Sequence, residues 1–242
     1  RSSPTERTVP TMALPRASQR RDGLTMVFET LYEDANLVVV NKPEGLAAIP
    51  EQHPQEPSLF ERLCAERGET LFIVHRIDKD TSGVILFARN ADAHRYLNME
   101  FETRRVRKVY LALTHGVVAT DWGAIDKPLA RFGSGRVGVN ALRGKPSVTE
   151  YQVTRRLPAH TLVEAYPRTG RRHQIRVHLY SLGHPIVGDR LYGDRAIQRD
   201  CPRMMLHART LTIRTPAGDE LTVEAPVPES FTGVVDAVAG LA

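Results

Sequence analysis

With 242 residues, 41% of them apolar and 25% charged, the chain has an ordinary globular composition and enough apolar matter for a core. Cys64 and Cys201 are its only cysteines, which excludes a disulfide framework, and no apolar run reaches the ~20 residues of a membrane-spanning helix. The net charge of +5 comes from 33 Lys and Arg against 28 Asp and Glu, and only Lys42, Lys79, Lys108, Lys127 and Lys145 are lysines.

Arginine presents a planar fork that matches phosphate and stacks on bases. A GC-rich genome also inflates arginine, so its excess decides little and its clustering decides more. The first twenty-six residues carry no signal-peptide apolar core. A cytoplasmic, reducing setting is expected.

Residues 1–25 are polar, with Pro4, Pro10 and Pro15, and read as a tail without packed structure. The folded body, residues 26–242, is expected to be one domain. Leu37–Val40 is a continuous apolar run fitting a buried strand, followed by a turn over Asn41–Gly45. Ser58 caps a helix running to Arg67 and ending at Gly68. Val84–Ala88 reads as a strand. Asn90 or Asp92 opens a helix with Ala93, Leu97 and Phe101 on one face. Val109–Leu113 is a strand leaving a basic segment, and residues 131–147 form a Gly- and Arg-rich loop or hairpin. Thr149–Thr154 and Leu162–Ala165 are strands, and His173–Leu182 is a helix stopped by Gly183. Two strand pieces flank Pro216–Asp219, and a helix over Phe231–Val238 closes the chain. Irregularly connected strands outnumber helices. The expected class is α+β, around a mixed, mainly antiparallel sheet. No dinucleotide or phosphate-loop motif is present, so no cofactor is expected.

Three segments can carry chemistry. His75-Arg76-Ile77-Asp78-Lys79-Asp80-Thr81-Ser82-Gly83 crowds two carboxylates, two cations, an imidazole and two hydroxyls beside a buried strand. A polar turn bonded to its own backbone accounts for such a run, and so does a reactive carboxylate. The Asp80-Thr81-Ser82-Gly83 stretch is no aspartic protease motif, since those sites need two carboxylates sharing a proton. In Arg104–Tyr110, four cations precede a strand on which Lys108 and Tyr110 share a face. In Thr169–His178, a helix would place Arg172 and Arg176 four apart on one face, which repels unless an anion sits between them. His173 and His178 are wrongly spaced for zinc, and no metal is expected.

Taken in order, these segments resemble the RluA-type RNA pseudouridine synthases. The family's His-Arg-Leu-Asp followed by Thr-Ser-Gly is matched by His75-Arg76-Ile77-Asp78 and Thr81-Ser82-Gly83, with Ile77 for Leu. Its Lys-x-Tyr strand is matched by Lys108-Val109-Tyr110. Its third motif is matched by Gly170–His178, with Arg172 where a hydroxyl residue is usual. Val38–Gly45, Gly183–Asp189 and Leu206–Ala208 resemble further family segments, so the likeness runs from Val27 to Pro228.

The resemblance implies a cofactor-free isomerase acting on ribosomal or transfer RNA. It assigns Asp78 as the essential carboxylate, Arg176 as its ion-pair partner and Tyr110 as the group stacked on the target uracil. Asp78 would attack the sugar, attack the base or assist a glycal route; the sequence does not choose. His75, Arg76, Lys108, Arg171 and Arg172 are expected to bind RNA, with Arg76 filling the space left by a flipped base. Asp80 is expected to be structural. No S4 RNA-binding domain fits into residues 1–25, and no protein partner is implied, so a monomer is the default. Two alternatives compete. An RNA-binding protein without activity would have lost Asp78, Tyr110 or Arg176; a glycosidase needs a second carboxylate, for which only Asp80 is near.

Overall fold

The computed structural model describes residues 28–52 and 54–240; the segment 1–25, read above as a tail, lies outside them. In chain order the elements are β1 (Thr30–Glu33), β2 (Leu37–Lys42), α1 (Leu59–Arg67), β3 (Phe72–Ile73), β4 (Ser82–Ala88), α2 (Ala91–Glu102), β5 (Arg107–His115), β6 (Trp122–Asp126), β7 (Leu129–Arg131), β8 (Val137–Val139), β9 (Val148–Arg156), β10 (His160–Pro167), α3 (Gln174–Ser181), α4 (Arg195–Gln198), β11 (Leu206–Arg214), β12 (Glu220–Glu224) and α5 (Glu229–Ala239). Ten strands make one sheet in the order β1-β2-β4-β11-β5-β10-β9-β6, with β12 on β11 and β3 on β4; β7 and β8 form a separate hairpin. The β4–β11 pairing is parallel and the other described pairings are antiparallel. This is the α+β architecture that the sequence leads one to expect.

The unbroken apolar runs of β2 and β4 have a simple cause: both faces are covered. Val38, Val40, Ile85 and Phe87 pack with Leu59 and Leu63 of α1, while Leu37, Val39, Val84 and Leu86 pack with Ala93 and Leu97 of α2. In the other half of the sheet, Leu111, Leu113, Val163 and Ala165 meet Ile175 and Leu179 of α3 and Phe231, Val234 and Val235 of α5. Tyr110 touches the clusters of both halves and so sits at their seam.

The helix ends follow local chemistry. Ser58 and Glu61 form a reciprocal capping box on α1, and Gly68 closes it in the left-handed conformation. Asn90 caps α2 by accepting from Ala93 N. The third helix departs from expectation. His173 has φ 54°, so α3 starts at Gln174, and Arg172 lies before it, exposed. Arg172 and Arg176 therefore do not share a helical face. Strands β1 and β6 have no apolar run to reveal them, because they are the sheet's edges and are largely exposed.

The parallel junction depends on one glycine. Gly83 has φ +111°, and a Cβ there would lie 2.1 Å from Ala208 O of β11. Only glycine permits this approach, which brings β11 against the start of β4. Among the described residues no helix is long and apolar enough to cross a membrane.

Burial lowers the pKa of five imidazoles below the ordinary 6.5: His75, His160, His173, His178 and His207, the third and fifth to about 4. With folded values below the unfolded one, the unfolded chain binds more protons across that window, so stability rises with pH there. Stability is complete above the unfolded value and is lost as pH falls toward the folded ones. The urea midpoint is therefore expected to fall steadily between about pH 7 and about pH 5. A midpoint that holds constant over this range would contradict the burial of these rings.

Candidate active site

The loop between β3 and β4 carries the first motif. Buried Ile77 anchors it, leaving Arg76 exposed on one side and Asp78 partly buried on the other. Thr81 N donates to Asp78 O at 3.1 Å and closes a tight turn. Two cations fasten this turn from behind. Lys42, fully buried, donates from Nζ to Pro43 O, Leu46 O and Lys79 O at 2.7, 2.7 and 2.8 Å. Burial pulls its pKa down to about 7, yet three carbonyl acceptors match the three N–H bonds of an ammonium, and we read it as charged. Arg203 donates to Ser82 Oγ at 2.7 Å and pairs with Glu44 at 2.9 Å; Ser82 Oγ also lies 2.9 Å from His207 Nδ1.

The third motif supplies the partner for Asp78. Gln174 is buried and accepts at Oε1 from Thr169 Oγ1 and Arg171 N, while its amide nitrogen donates to Val148 O and Thr149 Oγ1. This staples the 169–171 loop to β9. Two residues on, Arg176 is 5% exposed and bridges two carboxylates. It donates from Nε and Nη2 to both oxygens of Asp189 at 2.7 and 2.8 Å, and from Nη1 to Asp78 Oδ2 at 2.8 Å. Burial alone would lower its pKa, but the hydrogen bonds and charges of Asp189 and Asp78 outweigh that and raise it. Asp189 is oriented in turn by the backbone N–H groups of Leu191 and Tyr192. The Arg176 guanidinium lies 5.1 Å from the centre of the Tyr192 ring.

His173 comes within 3.9 Å of Asp78 but makes no ion pair. Burial lowers its pKa to about 4, against the pull of Asp78. Arg172 Nε donates to its Nε2 at 3.3 Å, which leaves the proton on Nδ1 facing Tyr192 Oη at 2.9 Å.

Above this pair opens a cleft of about 530 Å³, a volume typical of small-molecule and cofactor sites. The structure brings Asp78, Tyr110, Arg176, His75, Arg76, Lys108 and Arg171 together around it; Arg172 is not in its lining. Tyr110 has Ala165 and Ala208 as its cross-strand neighbours on β10 and β11, so its ring has room toward the cleft. Its pKa is raised, first by burial and then by the Asp78 charge, so the phenol stays protonated. Burial lowers the pKa of Lys108. His75 is held in place, its Nε2 accepting from Leu86 N at 3.1 Å and its ring stacked on Phe101 at 4.7 Å. Among the described residues no group of three or more His, Cys, Asp and Glu stands placed for a metal ion.

The basic runs divide. Arg105, Arg107 and Arg168 are occupied by Glu100, Glu220 and Glu150. Arg76, Arg104, Lys108 and Arg171 line the cleft, as does the paired Arg168. Sequence reasoning gave no role to Lys42, Asp189 or Tyr192. Lys42 and Asp189 do lie within Val38–Gly45 and Gly183–Asp189, two of the segments that resemble the family, whereas Tyr192 carries no such signal.

A carboxylate clamped by arginine and a tyrosine thus line one cationic cleft within a long mixed sheet. Comparison with known proteins supplies the family. The model of the RNA pseudouridylate synthase family matches residues 36–181. The chain is 37% identical over 223 residues to ribosomal large subunit pseudouridine synthase D of Pseudomonas aeruginosa, covering 84% of this chain and 69% of that protein. It is 39% identical over 203 residues to the dual-specificity RNA pseudouridine synthase RluA of Escherichia coli, covering 81% and 91%. The solved structure of human RNA pseudouridylate synthase domain containing 4 superposes with a TM-score of 0.73 at 31% identity, covering 87% and 92%. The chain belongs to the RluA-type RNA pseudouridine synthases, a family of isomerases.

Because Asp189 fixes the plane of Arg176, Asp189→Asn leaves a buried cation short of a counter-charge. It is expected to cost about 3 kcal/mol of stability, read as a lower urea midpoint. An unchanged midpoint would mean that the Arg176–Asp189 pair does not hold the site.

Proposed function

We propose that the protein isomerises specific uridines in structured ribosomal or transfer RNA of the cytoplasm, with Asp78 as the essential carboxylate. The observation that carries this reading is the 2.8 Å pair between Asp78 and Arg176 on the wall of a cleft that also holds Tyr110. Ribosomal RNA enters the proposal through the name of the Pseudomonas relative.

In the reaction the N1–C1′ bond of uridine breaks, a C5–C1′ bond forms, C5 gives up its proton and N1 gains one. No electrons leave the nucleoside and no group is added. Asp78 acts ionised whether it attacks C1′, attacks the base or removes a sugar proton. Arg176 aims one oxygen of that carboxylate and leaves the other for the substrate. Tyr110, a neutral phenol, offers a flat face on which uracil stacks while it is detached and turned. A stacked base cannot reach Asp78, so the target nucleotide flips into the cleft at a cost of a few kcal/mol. Arg76, exposed at the rim, fills the vacated space. Lys108, Arg104 and Arg171 meet the flanking phosphates, and Arg172 meets the strand outside the cleft. His75 takes part as a fixed, uncharged wall. The same fold used only for RNA binding would have no need of Asp78, Tyr110 and Arg176 together.

Asp78→Asn is expected to bind RNA normally and to reduce pseudouridine formation to the uncatalysed background, followed by carbodiimide-primed extension stops or by mass spectrometry. Full turnover in that variant would refute the assignment. Arg76→Ala is expected to slow the single-turnover rate about tenfold, equivalent to about 1.4 kcal/mol at the barrier. An unaltered rate would remove Arg76 from the flipping step.

A further inference from the structure

Next to the catalytic cleft lies a second cavity, of about 400 Å³, which the reaction above does not use. It is built between α3 and the β7–β8 hairpin. From the helix come Val177, Tyr180 and Ser181, one helical face along from Arg176. From the hairpin come Phe132, Arg136 and Val139. Its inner wall is Tyr192, whose hydroxyl accepts from Val137 N and bonds His173. Two guanidinium groups flank this ring, Arg136 at 5.4 Å and Arg176 at 5.1 Å. The two cavities are therefore separated by little more than one stacked layer.

The outer rim is aromatic and open. Phe132 is 45% exposed, Tyr180 47% and Val139 39%. Phe132 is seated over Gly138, where an added Cβ would lie 2.7 Å from its Cε2. Large apolar side chains gathered at one opening mark a binding surface. The charge of the hairpin segment says of what kind. Residues 127–149 contain Lys127, Arg131, Arg136, Arg143 and Lys145 and no acidic residue. Aromatic faces interleaved with cations that have no local counter-charge match a flat π-surface attached to phosphates.

We propose that this cavity receives a second nucleobase of the RNA, distinct from the target uridine, stacked against Phe132 and Tyr180 with its phosphates toward Arg131 and Arg136. The inference rests on RNA being the substrate. A base held by the hairpin fixes where the strand crosses α3, and so which uridine reaches Asp78.

The test uses the full chain and a single-stranded oligouridylate bearing 4-thiouridine. Photocrosslinks mapped by mass spectrometry are expected at Phe132 or Tyr180 as well as in the cleft. Phe132→Ala and Tyr180→Ala, both at exposed positions, are expected to raise the Kd for this oligonucleotide about tenfold each, as loss of one stacking partner does. Phe132→Trp restores binding, and Leu142→Ala, 96% exposed on the same segment, leaves it unchanged. Crosslinks confined to the cleft, or an unchanged Kd in both alanine variants, overturn the second pocket. A chain that binds the oligonucleotide through Phe132 but makes no pseudouridine in ribosomal or transfer RNA upholds the pocket and refutes the catalytic reading. A chain that makes pseudouridine while both alanine variants bind normally does the reverse.

Discussion

One buried cation between two carboxylates organises this molecule. Taking Arg176 out of water carries a large desolvation cost, and each carboxylate alone would recover only part of it. Asp189 takes two of the guanidinium's donors and thereby sets its plane, which leaves Nη1 directed at Asp78. Asp189 is held by two backbone N–H groups of its own turn, so the sequence of constraint runs from backbone to Asp189, to Arg176, to Asp78. The Asp78 carboxylate is thus aimed by the Arg176 guanidinium. One cation shared by two anions also leaves the centre net negative. The cleft cations Arg76, Lys108 and Arg171 stand around that charge and let a polyanion approach it.

The two partners are 98 residues apart, and they come from different halves of the sheet. Their meeting depends on the seam where β4 runs parallel to β11 and β5 completes the other side. Gly83 lets the strands close, Lys42 ties the main chain just after Asp78 to the turn after β2, and Arg203 fastens Ser82 to the start of β11. Tyr110 packs on both halves at this seam. A shift between the halves would move Asp78, Arg176 and Tyr110 relative to one another. The site is therefore as rigid as the longest-range contacts of the sheet.

Much of this was legible in the sequence where local chemistry decides. The capping box of α1, the cap of α2 and the apolar runs of β2 and β4 each have a cause within a few residues. The edge strands were not legible, since exposure removes the only pattern that would mark them. Arg172 was misplaced because a periodic reading cannot foresee the left-handed His173 that delays the helix. The roles expected of Asp78, Tyr110 and Arg176 rest on family resemblance, not on periodicity, and the structure places the three around one cleft. Asp189 and Lys42 escaped because their meaning lies in which distant groups they meet. Lys42 reads as part of a polar turn, yet it is a fully buried ammonium in the last position of a strand.

The arginine excess, undecidable from composition, resolves in the same way. Part of it is structural: Arg67, Arg89, Arg156 and Arg209 pair with acids of the framework. Arg203 meets Ser82, Ser230, Glu44 and Met204 O through three nitrogens, and Arg176 meets Asp78 and Asp189 through three. A lysine places all its donors on a single atom and cannot span such separated acceptors, so these positions select arginine whatever the genome's bias. The framework arginines are neutralised locally. Within the described residues, cations without an acidic partner gather on the cleft rim and in the acid-free segment 127–149, the two surfaces proposed to meet phosphate.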